Sequence, residues 1–305
     1  MSVVARASGK VILLGEHLVV HGAPALAAGI DRGAQAQAER LAGNEPSLLV
    51  LGADELVADP EAKDDRARAF AALLTHGDPL PPLHVRASSE LPAGGGLGSS
   101  AALGVAIARA TLAASGRTED SIPRASAWER VFHGNPSGID TAAAALGGCF
   151  RYTRKAGASP LTIAKPIALG VAYSGASSST KTMVDGVARL GERKPEVLQR
   201  AIEGVTSLVD NAALALEAGD LLALGKLMDL NQMILAGLML STEPIEHLCS
   251  LARAAGALGA KLTGAGGGGS VIALLPEGRD QAVLAAWQGA GYQAFVTRVG
   301  AKERS

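Results

Sequence analysis

Four glycines and two serines crowd one stretch, residues 91–102 (LPAGGGLGSSAA), where Gly94, Gly95, Gly96 and Gly98 run up to Ser99 and Ser100. Glycine backbones reach positive φ and come close to a ligand, so successive N–H groups can converge on one anion with no side chain in the way. From Ser99 the sequence turns helical (SSAALGVAIARATLAAS). With Ser99 or Ser100 expected at the cap, free amides and the positive helix end add to the same anion site. The stretch therefore reads as a phosphate cradle formed by Pro92, Gly94, Gly95, Gly96, Leu97, Gly98, Ser99, Ser100 and Ala101. A glycine run can also be a flexible linker, but a linker has no reason to join an expected strand (residues 83–89, LHVRASS) to a strongly helical segment, and that context favours the cradle. No lysine follows the glycines, so charge neutralisation must come from elsewhere in the chain.

Two further groups of residues could complete phosphoryl-transfer chemistry. Lys10 and Glu16 flank an apolar run, GKVILLGEH, and could point into a cleft from its ends; a charged pair bracketing a strand is otherwise a solvated edge. His17 and His21 are four apart, but Leu18, Val19 and Val20 between them favour a strand over a metal-binding helix. Glu129 and Asp140 are separated by the turn 133–138. Phosphoryl transfer uses a divalent cation held by oxygen ligands and often a carboxylate that takes the attacking hydroxyl's proton, and two carboxylates can divide those tasks. Taken singly, Asp140 also reads as a helix N-terminal charge and Glu129 as an exposed helical residue. A second glycine run, KLTGAGGGGS at 261–270, either packs close to the phosphates or makes a tight turn between strands.

The elements that must position these residues read as an α+β chain in two lobes, with the boundary just before residue 161: residues 1–160 and residues 161–305. Strands are expected at 3–7, 11–14, 18–20, 33–40 and 48–51, following one another without helices, so the first sheet should be largely antiparallel. Helices are expected at 59–75, 99–115, 122–132 and 140–146, and the second half adds helices near 180–190, 195–218, 220–238, 244–255 and 280–288. Its strands are expected at 161–164, 168–174, 261–263, 270–275 and 292–299. With 48% hydrophobic and 19% charged residues the chain is globular. Net charge of −1 and 3% aromatics argue against nucleic-acid binding. Cys149 and Cys249 have neither metal-ligand spacing nor a disulfide framework, which points to the reducing cytoplasm. No stretch near the N-terminus has the apolar core of a signal peptide, and none approaches a membrane-spanning length.

Three segments, GKVILLGEHLVVHG (9–22), LPAGGGLGSSAA and KLTGAGGGGS, in this order and at these separations, resemble the three signature motifs of the GHMP kinases. Within that superfamily GKVILLGEH and ERVFHGNPSGID (129–140) are most similar to the mevalonate kinases. The resemblance implies the two-lobed GHMP kinase fold and transfer of the ATP γ-phosphate to the C5 hydroxyl of mevalonate. It implies Asp140 as catalytic base, Lys10 beside the reacting hydroxyl, and Ser100 and Glu129 as ligands of Mg²⁺. Glu16, His17 and Thr180, together with Asp140, then make up the substrate side. ATP and a small-molecule acceptor are the implied partners, without nucleic acid or membrane, and homodimers are common among such enzymes. The same resemblance admits a phosphomevalonate kinase, a mevalonate 3-kinase, a homoserine kinase or a non-catalytic sensor. Ser8, Thr141 and Ser270 stand where the family commonly has proline, asparagine and cysteine.

Overall fold

The chain begins with β1 (Val3–Leu14), one unbroken strand in a computed structural model that describes residues 2–43, 45–92, 94–134, 136–176 and 179–300. Positions 93 and 135, inside the segments 91–102 and 129–140, and positions 177 and 178, just before Thr180, lie outside the described residues. The expected break at Ser8 and Gly9 does not occur. A Cβ on Gly9 would lie 2.8 Å from a Leu91 methyl and 2.9 Å from the Arg32 carbonyl, so this glycine permits close approach within a strand rather than a turn. The expected strand at 18–20 is instead a 3-10 helix, Leu18–His21, closed by Gly22 at φ 97°. β2 (Ala25–Arg40) begins well before the expected 33–40 because its first half, ALAAGI, is an alanine-rich run buried throughout and carries no alternation to read.

Then come β3 (Leu48–Leu51), β4 (Asp54–Val57), α1 (Asp65–Thr75), β5 (Leu83–Ser89), α2 (Ser99–Ala114), α3 (Ile122–His133) and α4 (Ile139–Leu146). They are followed by β6 (Cys149–Thr153), β7 (Gly157–Leu161), β8 (Ile167–Tyr173), α5 (Thr180–Arg193), α6 (Pro195–Ala218), α7 (Leu221–Gly237) and α8 (Glu243–Ala254). The last elements are β9 (Gly259–Thr263), β10 (Ser270–Leu275), α9 (Asp280–Gly289) and β11 (Gln293–Val299). The α+β class read from the sequence is the class observed. Local signals explain most of the boundaries. Asp64 caps α1 by accepting from the Arg66 amide at 2.8 Å, Asp220 caps α7 from Ala223 at 2.9 Å, and Pro195 opens α6, which Gly219 closes in the left-handed region. Among the described residues no helix is long and apolar enough to cross a membrane.

Two compact units interleave along the chain: residues Met1–Gly9, Arg32–Pro92 and Gly98–Gly147 form one, and Lys10–Asp31, Ala93–Leu97 and Gly148–Ser305 the other. In the first, the C-terminal half of β2 pairs antiparallel with β5, β5 pairs parallel with β3, and β3 pairs antiparallel with β4. Helix α2 packs on β5 and between α3 and α4; its buried positions are small (Ala101, Ala102, Gly104, Ala106, Ala108), which lets neighbouring backbones approach closely. In the second unit the start of β2 pairs with β6 and β6 with β7, and a separate antiparallel sheet runs β11-β8-β10-β9. Its two central strands, β8 and β10, are largely apolar and buried, and helices α7, α8 and α9 pack on the sheet.

Candidate active site

In the first unit the glycine loop meets its helix at Gly98, which takes φ 73° as the N-cap of α2, so the cap is glycine rather than the expected serine. Ser99, Ser100 and Ala101 then open the helix with their amides free of intrahelical partners. Ser100 Oγ donates to Glu129 Oε1 at 2.5 Å across α2 and α3. Glu129 is 2% exposed, so it is no solvated helical residue, and burying a carboxylate costs free energy unless something pairs with it. Here the Ser100 hydroxyl does so, with His133 Nε2 3.7 Å away one turn further along α3. Trp128 fixes the same corner by donating from Nε1 to the Ser100 carbonyl at 3.1 Å. Asp140 is half-buried in the first turn of α4, just after the left-handed cap Gly138, where the helix end favours a negative charge. Pro92 also belongs to this unit.

In the second unit Gly94, Gly95, Gly96 and Leu97 lie with Lys10, Glu16, His17 and Thr180. Lys10 is 4% exposed, and its amide donates to the Leu97 carbonyl at 2.9 Å, which ties the end of the glycine loop to β1. The sequence left open whether the second glycine run is a separate turn. In the structure the two runs pack backbone against backbone: a Cβ on Gly264, at φ 90°, would stand 3.0 Å from the Gly96 carbonyl and 3.2 Å from its Cα. Ser270 Oγ adds a 2.7 Å bond to the Gly95 carbonyl. Only glycine permits both the conformation and the approach.

Glu16, in the turn just after β1, is fully buried, its carboxylate ion-paired with Lys261 of β9, which is equally buried. Lys261 Nζ also donates to the Leu262 carbonyl at 2.5 Å, and Asn231 Nδ2 of α7 donates to Glu16 Oε2 at 3.1 Å. Desolvation lowers the Lys261 pKa, and Glu16 opposes that shift. Neither Lys261 nor Asn231 was singled out from the sequence. A lysine inside the apolar run that ends in KLTG was the available signal. His17 follows Glu16 at φ 60° and ψ −50°, an uncommon backbone for a residue with a Cβ. Its Nε2 lies 2.6 Å from the Ala265 carbonyl, so Nε2 carries the hydrogen and Nδ1 is the acceptor. That Nδ1 is buried with no hydrogen-bond partner. Burial pulls the His17 pKa down to about 4, so the ring is neutral at pH 7. Thr180 is exposed at the start of α5, beside the capping Ser179. Cys149 and Cys249 are buried thiols pushed up to about 12 by desolvation, which makes them poor nucleophiles.

Residues 66–148 match the family model of the GHMP kinases N terminal domain and residues 212–293 that of the GHMP kinases C terminal. The chain belongs to the GHMP kinase family and is a small-molecule kinase. It is 35% identical over 322 residues to the mevalonate kinase of Pyrococcus abyssi (strain GE5 / Orsay), covering 97% of this chain and 95% of that protein. It is likewise 35% identical over 286 residues to the mevalonate kinase of Methanothermobacter thermautotrophicus, covering 92% and 93%. The structure of L. major mevalonate kinase in complex with R-mevalonate superposes with a TM-score of 0.86 at 29% identity, covering 97% of this chain and 95% of that one. Lactococcus lactis galactokinase shares the fold alone, at a TM-score of 0.82 and 17% identity.

The His17 environment makes stability depend on pH. The folded state holds the ring neutral down to about pH 4, whereas the unfolded chain protonates it near 6.5. Stability contributed here is complete above pH 6.5 and is lost as pH falls from 6.5 towards 4, by about 3 kcal/mol. Urea unfolding of wild type and His17→Asn at several pH values reads this as a difference between the two proteins that grows across that window. A constant difference contradicts it.

Proposed function

We propose that the chain transfers the γ-phosphate of ATP to the C5 hydroxyl of mevalonate, giving 5-phosphomevalonate and ADP. The observation that carries the acceptor is the nearly full-length likeness to mevalonate kinases, and the buried Ser100–Glu129 pair at the head of α2 supports the transfer chemistry. Residues 1–160 form the lobe of the phosphate loop in this reading and residues 161–305 its C-terminal partner. The reading extends to a homodimeric cytoplasmic enzyme.

Ser100 and Glu129 suit magnesium: both present oxygen atoms, and the two already touch in a buried corner at the head of α2. Mg²⁺ takes one or two protein oxygens and completes its shell with phosphates and water, so a site without a cluster of carboxylates is what the ion prefers. Among the described residues no group of three or more His, Cys, Asp or Glu could hold a metal. Bound there, Mg²⁺ would neutralise the phosphate oxygens. The amides of Gly94, Gly95, Gly96, Leu97 and Gly98 and the open end of α2 bind the phosphates of ATP. Asp140 accepts the C5 hydroxyl proton as the new O–P bond forms and the bond to ADP breaks. Lys10 contributes positive charge where the alkoxide develops. Glu16, His17 and Thr180 make up the acceptor side.

Three measurements test the reading. Offered Mg-ATP with mevalonate, phosphomevalonate, homoserine or galactose, the protein should release ADP rapidly with mevalonate alone; a preference for phosphomevalonate overturns the acceptor. Asp140→Asn should lose about 10²- to 10⁴-fold in kcat with the KM for ATP nearly unchanged, since the lost interaction belongs to the transition state. Near-normal kcat in that folded variant removes the general base. Ser100→Ala and Glu129→Gln should each shift the Mg²⁺ dependence of the rate to higher concentration, and an unshifted curve in both moves the metal elsewhere.

A further inference from the structure

The turn Gly15-Glu16-His17 is held at both ends by unlike means. On one side the His17 ring is fastened by its Nε2 bond to the Ala265 carbonyl, and its backbone stands in a region that residues with a Cβ rarely occupy. Such a conformation persists only where the surroundings over-determine it. On the other side Glu16 is enclosed by Lys261 and Asn231, both wholly buried. Each carboxylate oxygen has its own donor, Lys261 on Oε1 and Asn231 on Oε2, so the carboxylate can neither rotate nor withdraw without leaving a charge unpaired.

Strand β9 does not need this pair to keep its place. Its ladder to β10 runs from Ser270↔Thr263 to Leu274↔Gly259. On its outer edge the Ala260 amide donates to Asp229 and the Leu262 amide to Gln232, each at 2.9 Å. Thr263 Oγ1 accepts from the Ile12 amide at 2.9 Å and donates to the Ile12 carbonyl at 3.2 Å. The strand is thus fastened independently, and the side-chain bonds of Glu16 act on the turn.

We propose that Lys261, Asn231 and Glu16 form a positioning clamp that fixes the turn carrying His17, on whose placement acceptor binding depends. This rests on the acceptor-side placement of His17 in the function proposed above. Glu16 acts on the acceptor through the turn and not by direct contact, because its carboxylate is spent on Lys261 and Asn231. Lys261 and Asn231 are positioning residues that reach the reaction from 245 and 215 residues along the chain.

The test separates positioning from support. The double variant Glu16→Gln/Lys261→Met keeps both side-chain lengths and removes both charges, so neither is left buried and unpaired. Asn231→Ala leaves the ion pair intact and removes one donor. For each folded protein, kcat and separate KM values for acceptor and for ATP are measured beside the thermal midpoint. The double variant should raise the acceptor KM about tenfold and Asn231→Ala about threefold, the effect of weakening one hydrogen bond. The KM for ATP should stay within about twofold in both. An unchanged acceptor KM in either folded variant overturns the clamp, as does an equal rise in both KM values together with a lowered midpoint. If wild type used another acceptor than mevalonate, the split would be read on that acceptor, so failure of the functional reading remains distinct from failure of this one.

Discussion

An ammonium and a carboxylate, Lys261 and Glu16, lie beyond the reach of water inside the second unit. Taking two ions out of water costs several kcal/mol each, returned only when they meet in good geometry and their remaining hydrogen-bonding capacity is filled. That condition governs how the end of β1, strand β9 and helix α7 can be arranged. Lys261 must point from β9 at Glu16, and α7 must bring Asn231 to the second oxygen. The same helix supplies Asp229 and Gln232 to neighbouring amides of β9. The second glycine run begins where β9 ends, so its approach to Gly96 follows from the same arrangement.

The first unit solves a related problem with less charge. Glu129 is buried as deeply, but its partner is a hydroxyl, and the pair sits where α2 begins. A hydroxyl donates a hydrogen bond without bringing a full positive charge, whereas the ammonium at Glu16 brings one. Two glutamates of similar burial thus sit in different electrostatic settings, one against a hydroxyl and the other against an ammonium.

The elements of the candidate site were legible in the sequence where they depend on local backbone. Glycine runs, the change from strand to helix at Ser99 and the carboxylates on either side of the 133–138 turn are short-range patterns. Helices α6 and α9 fall close to where periodicity puts them, because caps and apolar spacing lie within a few residues of each other. What could not be read was set by contacts distant in the chain. Gly9 looked like a break because its close neighbours, Leu91 and Arg32, are remote in sequence, and the alanine run of β2 takes its strand from partners at 149–152. Glu16 read as a residue at the lip of a strand, since nothing near it betrays a lysine 245 residues later. The 3-10 helix at Leu18–His21 was hidden by two valines, whose strand preference yields to the tight turn around buried Leu18.

The side chains that stopper the sheet β11-β8-β10-β9 have a consequence for how copies of this chain meet one another. A sheet ends in two strands whose outward amides can recruit a strand from another molecule, the route by which many β proteins aggregate. At β9 those amides are occupied by Asp229 and Gln232. At β11 the Arg298 amide donates to Asp31 at 3.2 Å, and Thr297 Oγ1 bonds the same carboxylate at 2.5 Å. Carboxylates at both rims repel an incoming peptide carbonyl and hold the donors it would need. At these positions the residues that fix the sheet's register also hold ladder donors that an incoming strand would have to recruit.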